Sequence, residues 1–76
     1  MSIDYASLLT AEQKRNVLEQ RISQFALEAY QHELNKETCA ALDDENGISL
    51  AEKSLATLEA AITTHQTELA GLPAAE

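Results

Sequence analysis

A continuous heptad repeat in the C-terminal half of the chain is the feature that most constrains its fold. From Ile48 to Leu72, eight positions recur in alternating steps of three and four residues, and seven of them are apolar. They are Ile48, Ala51, Leu55, Leu58, Ile62, His65, Leu69 and Leu72. A repeat of ~3.5 residues keeps one side of an α-helix facing a partner along its whole length. A lone helix cannot bury such a seam, so the rest of the chain must supply a partner for it.

A second long helix is predicted upstream, over residues 11–42. Thr10 and Gln13 have the spacing of a capping box, in which each side chain satisfies a backbone N–H of the other residue. No Gly or Pro interrupts the following residues up to Leu42. The apolar residues of this helix divide between two faces. One face lies in its N-terminal half and consists of Leu18, Ile22, Phe25 and Ala29; the other lies in its C-terminal half and includes Leu27, Tyr30, Leu34 and Leu42.

An acidic turn is predicted over residues 43–48. Three acids, Asp43, Asp44 and Glu45, would oppose the dipole at a helix C-terminus, and Asn46-Gly47 tolerates positive φ. Ser49 and Glu52 then form a second capping box, so the second helix is expected over residues 49–70. Gly71 and Pro73 are typical of a helix end, which leaves residues 71–76 as a tail and residues 1–9 as a short N-terminal segment.

These elements predict an all-α fold: a single domain, residues 1–76, built as a coiled-coil-like antiparallel hairpin of two helices. A link of about five residues makes the helices antiparallel neighbours, and the numbers of paired residues should add up to about 90. The expected interface between the helices consists of Leu27, Tyr30, Leu34, Leu42, Ile48, Ala51, Leu55, Leu58, Ile62, His65 and Leu69. The face formed by Leu18, Ile22, Phe25 and Ala29 would then be left for other subunits or a partner, which would complete a larger bundle. The first helix should overhang the second at the open end, where residues 3–9 or another subunit would cover it.

The composition excludes several classes of partner and location. Acidic residues outnumber basic ones 13 to 5, for a formal charge of −8. A nucleic-acid partner is therefore not expected, because its phosphates require Lys and Arg. No apolar run approaches the roughly 18 residues of a membrane span. The N-terminal residues lack the basic and apolar regions of a signal peptide, and the one cysteine allows no disulfide within the chain, so folding in the cytoplasm is expected.

No catalytic or metal-binding pattern stands out. His65 reads as a histidine packed in a helical interface, and His32 lies at the wrong level of the hairpin to share a metal ion with it. Cys39 has no basic cluster beside it and reads as a small buried residue. The three acids of the turn do not match a calcium-binding loop, because Gly47 stands at the wrong offset. The chain is therefore expected to be no enzyme and to hold no cofactor.

The opening residues, MSIDYASLLTAEQKR, resemble those of small helical accessory proteins that are encoded beside the virion genes of tailed bacteriophages. The resemblance covers about the first thirty residues and carries no catalytic or ligand motif. It implies an accessory structural role in a head or tail, with synthesis in the bacterial cytoplasm and a final location in the virion.

The functional expectation is a non-enzymatic module that presents helix faces to protein partners. Its most concrete form is a minor virion component of a tailed phage, oligomeric or bound in several copies to a larger structural protein. One alternative is a small acidic phage inhibitor or adaptor that binds a host protein. Another is a free-standing homo-oligomeric bundle of helices.

Overall fold

The computed structural model describes residues 2–73 and has the predicted architecture, an all-α antiparallel hairpin. A short 3₁₀ helix at Tyr5–Leu8 precedes two long helices, α1 at Ala11–Ala41 and α2 at Glu45–Ala70. The two long helices contact each other extensively. At ~1.5 Å per residue, the 31 residues of α1 extend about 46 Å.

The predicted capping box starts α1. The backbone N–H of Gln13 donates to Thr10 Oγ1 at 3.1 Å, and the N–H of Thr10 donates to Gln13 Oε1 at 2.9 Å. Two of the N–H groups that a helix start leaves without a partner are thereby satisfied. Glu12 in the first turn adds a favourable interaction with the helix dipole.

The link between the helices is shorter than predicted, and it is a Schellman motif followed at once by a new cap. The N–H of Asp44 donates to Cys39 O at 2.8 Å, and the N–H of Asp43 donates to Ala40 O at 3.2 Å. Asp43 occupies the left-handed position of this motif, with φ 55°, where glycine is the usual residue. Asp44 then caps α2, because its Oδ1 accepts from the N–H of Gly47 at 3.0 Å.

The predicted start of α2 at residue 49 is therefore wrong by four residues. The Ser49–Glu52 pair lies inside the helix, and the residue with positive φ is Asp43, not one of the Asn46-Gly47 pair. Asp44 caps the helix earlier, and Glu45 in its first turn suits the positive end of the dipole. The acids that disfavour extension of α1 thus favour the start of α2.

Gly47 lets α2 begin close against α1. A Cβ at this position would lie 2.6 Å from Asp44 Oδ2 and still nearer to Cys39 Sγ. Because the link has only three residues between the two helices, the first turn of α2 must pass directly beside the last turns of α1. Glycine therefore leaves room for the side chains of Cys39 and Asp44, and its φ is not positive.

The register of the hairpin follows from three contacts. The rings of Phe25 and His65 lie 5.0 Å apart, Lys36 Nζ lies 3.4 Å from Glu52 Oε2, and the Arg15 guanidinium donates to the carbonyl of Pro73 at 2.6 Å. The residue numbers of these pairs add up to 90, 88 and 88, close to the predicted 90. The levels at which the two helices meet are thus near those expected from the sequence.

The side of α1 that faces α2 is the opposite of the one predicted. Leu27, Tyr30, Leu34 and Leu42 were expected in the interface, but their exposed fractions are 58%, 60%, 44% and 72%. The residues predicted to form an uncovered interaction face, Leu18, Ile22, Phe25 and Ala29, are half-buried instead. Phe25 contacts His65 of α2, so this face belongs to the hairpin interface.

The reason is a heptad repeat in α1 whose members are not all apolar. Nine of the eleven half-buried residues of α1 follow one another in alternating steps of four and three: Ala11, Arg15, Leu18, Ile22, Phe25, Ala29, His32, Lys36 and Cys39. Long basic side chains bury their aliphatic stems in such a seam and keep their charged ends in water. The seam of α1 thus matches the period of α2 over its whole length, which the winding apolar stripe through Tyr30 and Leu34 does not.

On α2, the predicted seam residues lie on the side that faces α1. Ala51 is buried, and Ile48, Leu55, Leu58, Ile62, His65, Leu69 and Leu72 are half-buried. Ala51, at 5%, is the only buried residue in the described part of the chain. Two helices alone cannot enclose a core, so most seam residues keep part of their surface in water.

The two ends of the chain differ from the predictions in detail. Ile3, Tyr5 and Leu8 are 62%, 71% and 71% exposed, so the N-terminal segment does not pack closely over the open end of α1. Gly71 caps α2 with a right-handed φ of −81°. Part of the predicted tail, residues 74–76, lies outside the described residues.

Candidate interaction surface

An uncharged stripe runs along the side of α1 that faces away from α2. We call it the outer stripe of α1, and it consists of Gln20, Ser23, Leu27, Tyr30, Leu34, Thr38 and Ala41. Each of these residues lies two positions from a member of the inward seam, for example Leu27 from Phe25 and Tyr30 from His32. Two residues turn about 200° around an α-helix, so the outer stripe points nearly opposite to the seam. All seven residues are exposed.

The centre of this stripe is apolar. Leu27, Tyr30 and Leu34 form consecutive turns of it, and each is at least 44% exposed. Glu19 and Glu28 lie on its flanks, whereas Glu37 lies seven residues after Tyr30 on the same line along the helix and ends the apolar part of this side. In a chain with 18 charged residues, the outer side of α1 carries no charge from Gln20 to Leu34. Exposed apolar patches with charged rims are typical of protein–protein interfaces.

Apolar residues alone predict that Leu27, Tyr30 and Leu34 of this stripe lie in the interface. The alternating steps of four and three residues that continue from Phe25 through Ala29, His32, Lys36 and Cys39 are the signal in the sequence that identifies the inward side. The last three of these residues are half-buried, whereas the larger apolar residues Tyr30 and Leu34 are exposed.

A second exposed apolar group lies in the N-terminal segment. Ile3, Tyr5 and Leu8 are each at least 62% exposed, and Leu9 is 42% exposed. The 3₁₀ turn that carries Tyr5 and Leu8 is held by Asp4, whose carbonyl accepts from the N–H and the hydroxyl of Ser7. This group lies ahead of α1 and is separate from its outer stripe.

The polar member of the α2 seam, His65, is held by contacts within the hairpin. Its Nε2 accepts a hydrogen bond from Arg21 Nε at 2.9 Å, and its Nδ1 lies 2.7 Å from the carbonyl of Ala61. Phe25 packs edge-on against the imidazole, and the Arg21 guanidinium lies 5.4 Å from the Phe25 ring centroid. These contacts give His65 a packing role in the interface.

The remaining candidate residues, His32 and Cys39, lie in the inward seam of α1 and away from His65. His32 lines a groove with Ser54 and Leu58, and the ring contact of His65 is to Phe25, about two turns of α1 away from His32. Cys39 is half-buried and reduced beside Gly47. Within residues 2–73, no group of three or more His, Cys, Asp or Glu side chains is placed to hold a metal ion.

Over the same described residues, neither long helix contains a stretch long and apolar enough to cross a membrane. Comparisons of this chain with protein-family models, with curated proteins and with solved structures find no match. The evidence on function therefore comes from the hairpin and its exposed surfaces.

Proposed function

We propose that this chain is a non-enzymatic protein-interaction module that binds other protein chains through the outer stripe of α1. The observation that carries the proposal is the exposure of Leu27, Tyr30 and Leu34 on an uncharged side of the helix. Removing apolar surface from water contributes about 25 cal/mol per Å², so a second helix packed on these three residues would be stabilised by their burial. The charged flanks would stay in contact with water at the rim.

The most concrete form of this function is a minor component of a tailed-phage virion, bound in several copies to a larger structural protein. The resemblance of the opening residues to phage accessory proteins supports this form. The exposed apolar group at Ile3, Tyr5 and Leu8 is consistent with it, since it offers a further contact for a large partner beside the outer stripe.

Analysis of purified particles tests the virion role. Mass spectrometry of particles from the phage that encodes the chain should detect it in constant ratio to a structural protein. Tyr30→Glu should deplete it from particles at least tenfold, because a carboxylate would be desolvated at the centre of the contact. Gln66→Glu adds the same charge at an exposed site on the flank of α2 and should leave incorporation unchanged. Particles that lack the parent chain would refute the virion role.

A further inference from the structure

The outer side of α2 also carries an exposed stripe, and apart from one lysine near its N-terminal end its residues are small and uncharged. We call it the outer stripe of α2, and it consists of Ser49, Lys53, Ala56, Ala60, Thr63, Thr67 and Ala70. All seven residues are exposed, and none is acidic in a chain with 13 acids. From Ala56 onward the stripe carries no charge at all. The hairpin therefore has large apolar side chains on one outer side and small side chains on the other.

The residues of the two outer stripes lie at matching positions along the long axis of the hairpin. Within the hairpin, residues at the same level have numbers that add up to about 88–90, as Phe25 and His65 do. A second hairpin placed beside the first in the same orientation keeps these levels, with α1 of one copy antiparallel to α2 of the next. Tyr30 then lies between Ala56 and Ala60 of its neighbour, and Leu27 lies between Ala60 and Thr63. Large side chains would thus pack where small ones leave room.

The accessible surface of the chain is large enough for two such contacts. It is 6014 Å², whereas a compact monomer of 8.3 kDa would expose about 4,600 Å². This excess of roughly 1,400 Å² reflects the elongated shape of the hairpin, and two contacts that each bury about 700 Å² of the chain would remove an equal area. A standard protein–protein interface buries about 800 Å² per partner. The exposed surface of the hairpin is therefore large enough for a contact of nearly standard size on each of its two outer sides.

From these observations we infer that the occupant of the outer stripe of α1 is the outer stripe of α2 of a second copy of this chain. The inference rests on the proposed interaction function and names the partner for the same surface. Because the two contacting surfaces differ, the contact is head-to-tail, and it continues into a row or closes into a ring. All hairpins in the assembly point the same way, so their N-terminal segments lie along one edge, where a larger partner would meet several copies at once.

The charges of the chain oppose this assembly weakly. Glu37 of one copy would lie at the level of both Glu52 and Lys53 of the next, so local repulsion and attraction offset each other, and the net charge of −8 on each copy supplies the remaining repulsion. The Debye length falls to ~3 Å at 1 M salt, so added salt screens the repulsion between the negatively charged copies. Self-association should therefore strengthen between 50 mM and 500 mM NaCl. An association that rested on ion pairs would weaken over that range.

Two single substitutions test the inference, one for each stripe. The parent chain at about 100 μM should show a mass above that of a dimer in light scattering, whereas Tyr30→Glu alone and Ala60→Glu alone should each be monomeric. Each variant keeps one intact stripe, so a mixture of the two should form a heterodimer and stop at two chains. Gln66→Glu, the flank control, should assemble as the parent does. Circular dichroism checks that every variant keeps its helices.

Crosslinking provides a second measurement that does not depend on introducing charge. In a Cys39→Ser background, Tyr30→Cys combined with Ala60→Cys should give a ladder of disulfide-linked multimers under mild oxidation. Tyr30→Cys alone should stay uncrosslinked.

Three results would overturn the inference. They are a parent chain that stays monomeric at 100 μM, an Ala60→Glu variant that assembles as the parent does, and rapid dimerisation of Tyr30→Cys alone, which would indicate a symmetric contact between two α1 helices. A monomeric parent chain that is nevertheless incorporated into particles through Tyr30 would refute this inference and leave the proposed function in place. A chain that assembles but is missing from particles would refute the virion role and leave this inference in place.

Discussion

At the scale of single residues, His65 illustrates how a polar side chain fits in a seam of aliphatic ones. Arg21 donates to Nε2, so Nε2 must be without a proton, and the proton of the neutral ring lies on Nδ1, facing the carbonyl of Ala61. Both ring nitrogens are therefore satisfied without water. Phe25 covers the ring edge-on and adds apolar contact on the same level.

This geometry predicts the tautomer of His65. ¹⁵N NMR at pH 8 should show the Nδ1–H form for His65. In Arg21→Met, the Nε2 acceptor loses its donor and the fraction of the other tautomer should rise. His32, which lacks this arrangement, serves as the internal reference. A dominant Nε2–H form in the parent protein would mean that the bond from Arg21 does not exist in solution.

Asp43 has an unfavourable backbone conformation, with a positive φ. A residue with a Cβ in the left-handed region carries a cost of roughly 1–2 kcal/mol, which glycine avoids at a smaller entropic cost. Asp43→Gly should therefore stabilise the hairpin by about 0.5–1 kcal/mol, read as a higher urea midpoint at an unchanged slope.

The neighbouring acid provides the control for that experiment. Asp44→Gly removes a negative charge from the same link, but it also removes the cap on Gly47, so it should be less stable than Asp43→Gly by several tenths of a kcal/mol or more. If both variants are stabilised equally, relief of charge repulsion and not backbone conformation is responsible.

At the scale of elements, α1 has two sides with different roles, and paired substitutions should separate them. Phe25→Ala removes a ring that packs on α2 and should cost about 3 kcal/mol, the lower end of the range for aromatic residues, because Phe25 is only half-buried. Tyr30→Ala on the outer stripe should change the free energy of unfolding by no more than about 0.5 kcal/mol. Urea melts at low micromolar concentration, where self-association is small, measure both. A larger loss of unfolding free energy in Tyr30→Ala than in Phe25→Ala would support the interface that was predicted from the sequence.

The same reasoning applies to α2 and its two sides. Leu58 is a half-buried seam residue, whereas Leu50 is 65% exposed. Leu58→Ala should cost about 2 kcal/mol, a large part of the stability of a chain this small, and Leu50→Ala should cost much less. Equal shifts of the urea midpoint would show that the heptad register of α2 is misplaced.

At the scale of the whole molecule, the hairpin has almost no enclosed core. Only Ala51 is buried among the described residues, and a domain this small buries too little surface to be more than marginally stable. Packing a second copy against either outer stripe would add apolar burial that the single chain lacks. Folding and association are therefore expected to be coupled.

Coupling of this kind makes stability depend on concentration. The midpoint of thermal unfolding of the parent chain should rise by several degrees between 5 μM and 200 μM, because association draws the equilibrium toward the folded state. Ala60→Glu should show one midpoint at all concentrations. A parent midpoint that does not move over this range would indicate that the hairpin is stable as a monomer.

Two long helices, their antiparallel pairing and the approximate levels at which they meet can be predicted from the amino-acid sequence. These features follow from local chemistry: the Thr10 capping box, the break in helical pattern after Leu42 and the unbroken heptads of α2. Local chemistry did not decide where α2 starts, because Asp44 and Ser49 can both cap a helix. The Schellman motif at Asp43 puts Asp44 in the capping position, so α2 starts at the earlier of the two. It also did not decide which side of α1 faces inward. That choice depends on how well a whole stripe matches the period of its partner, and a seam with Lys36 and His32 in it matches α2 better than a winding stripe with Tyr30 and Leu34.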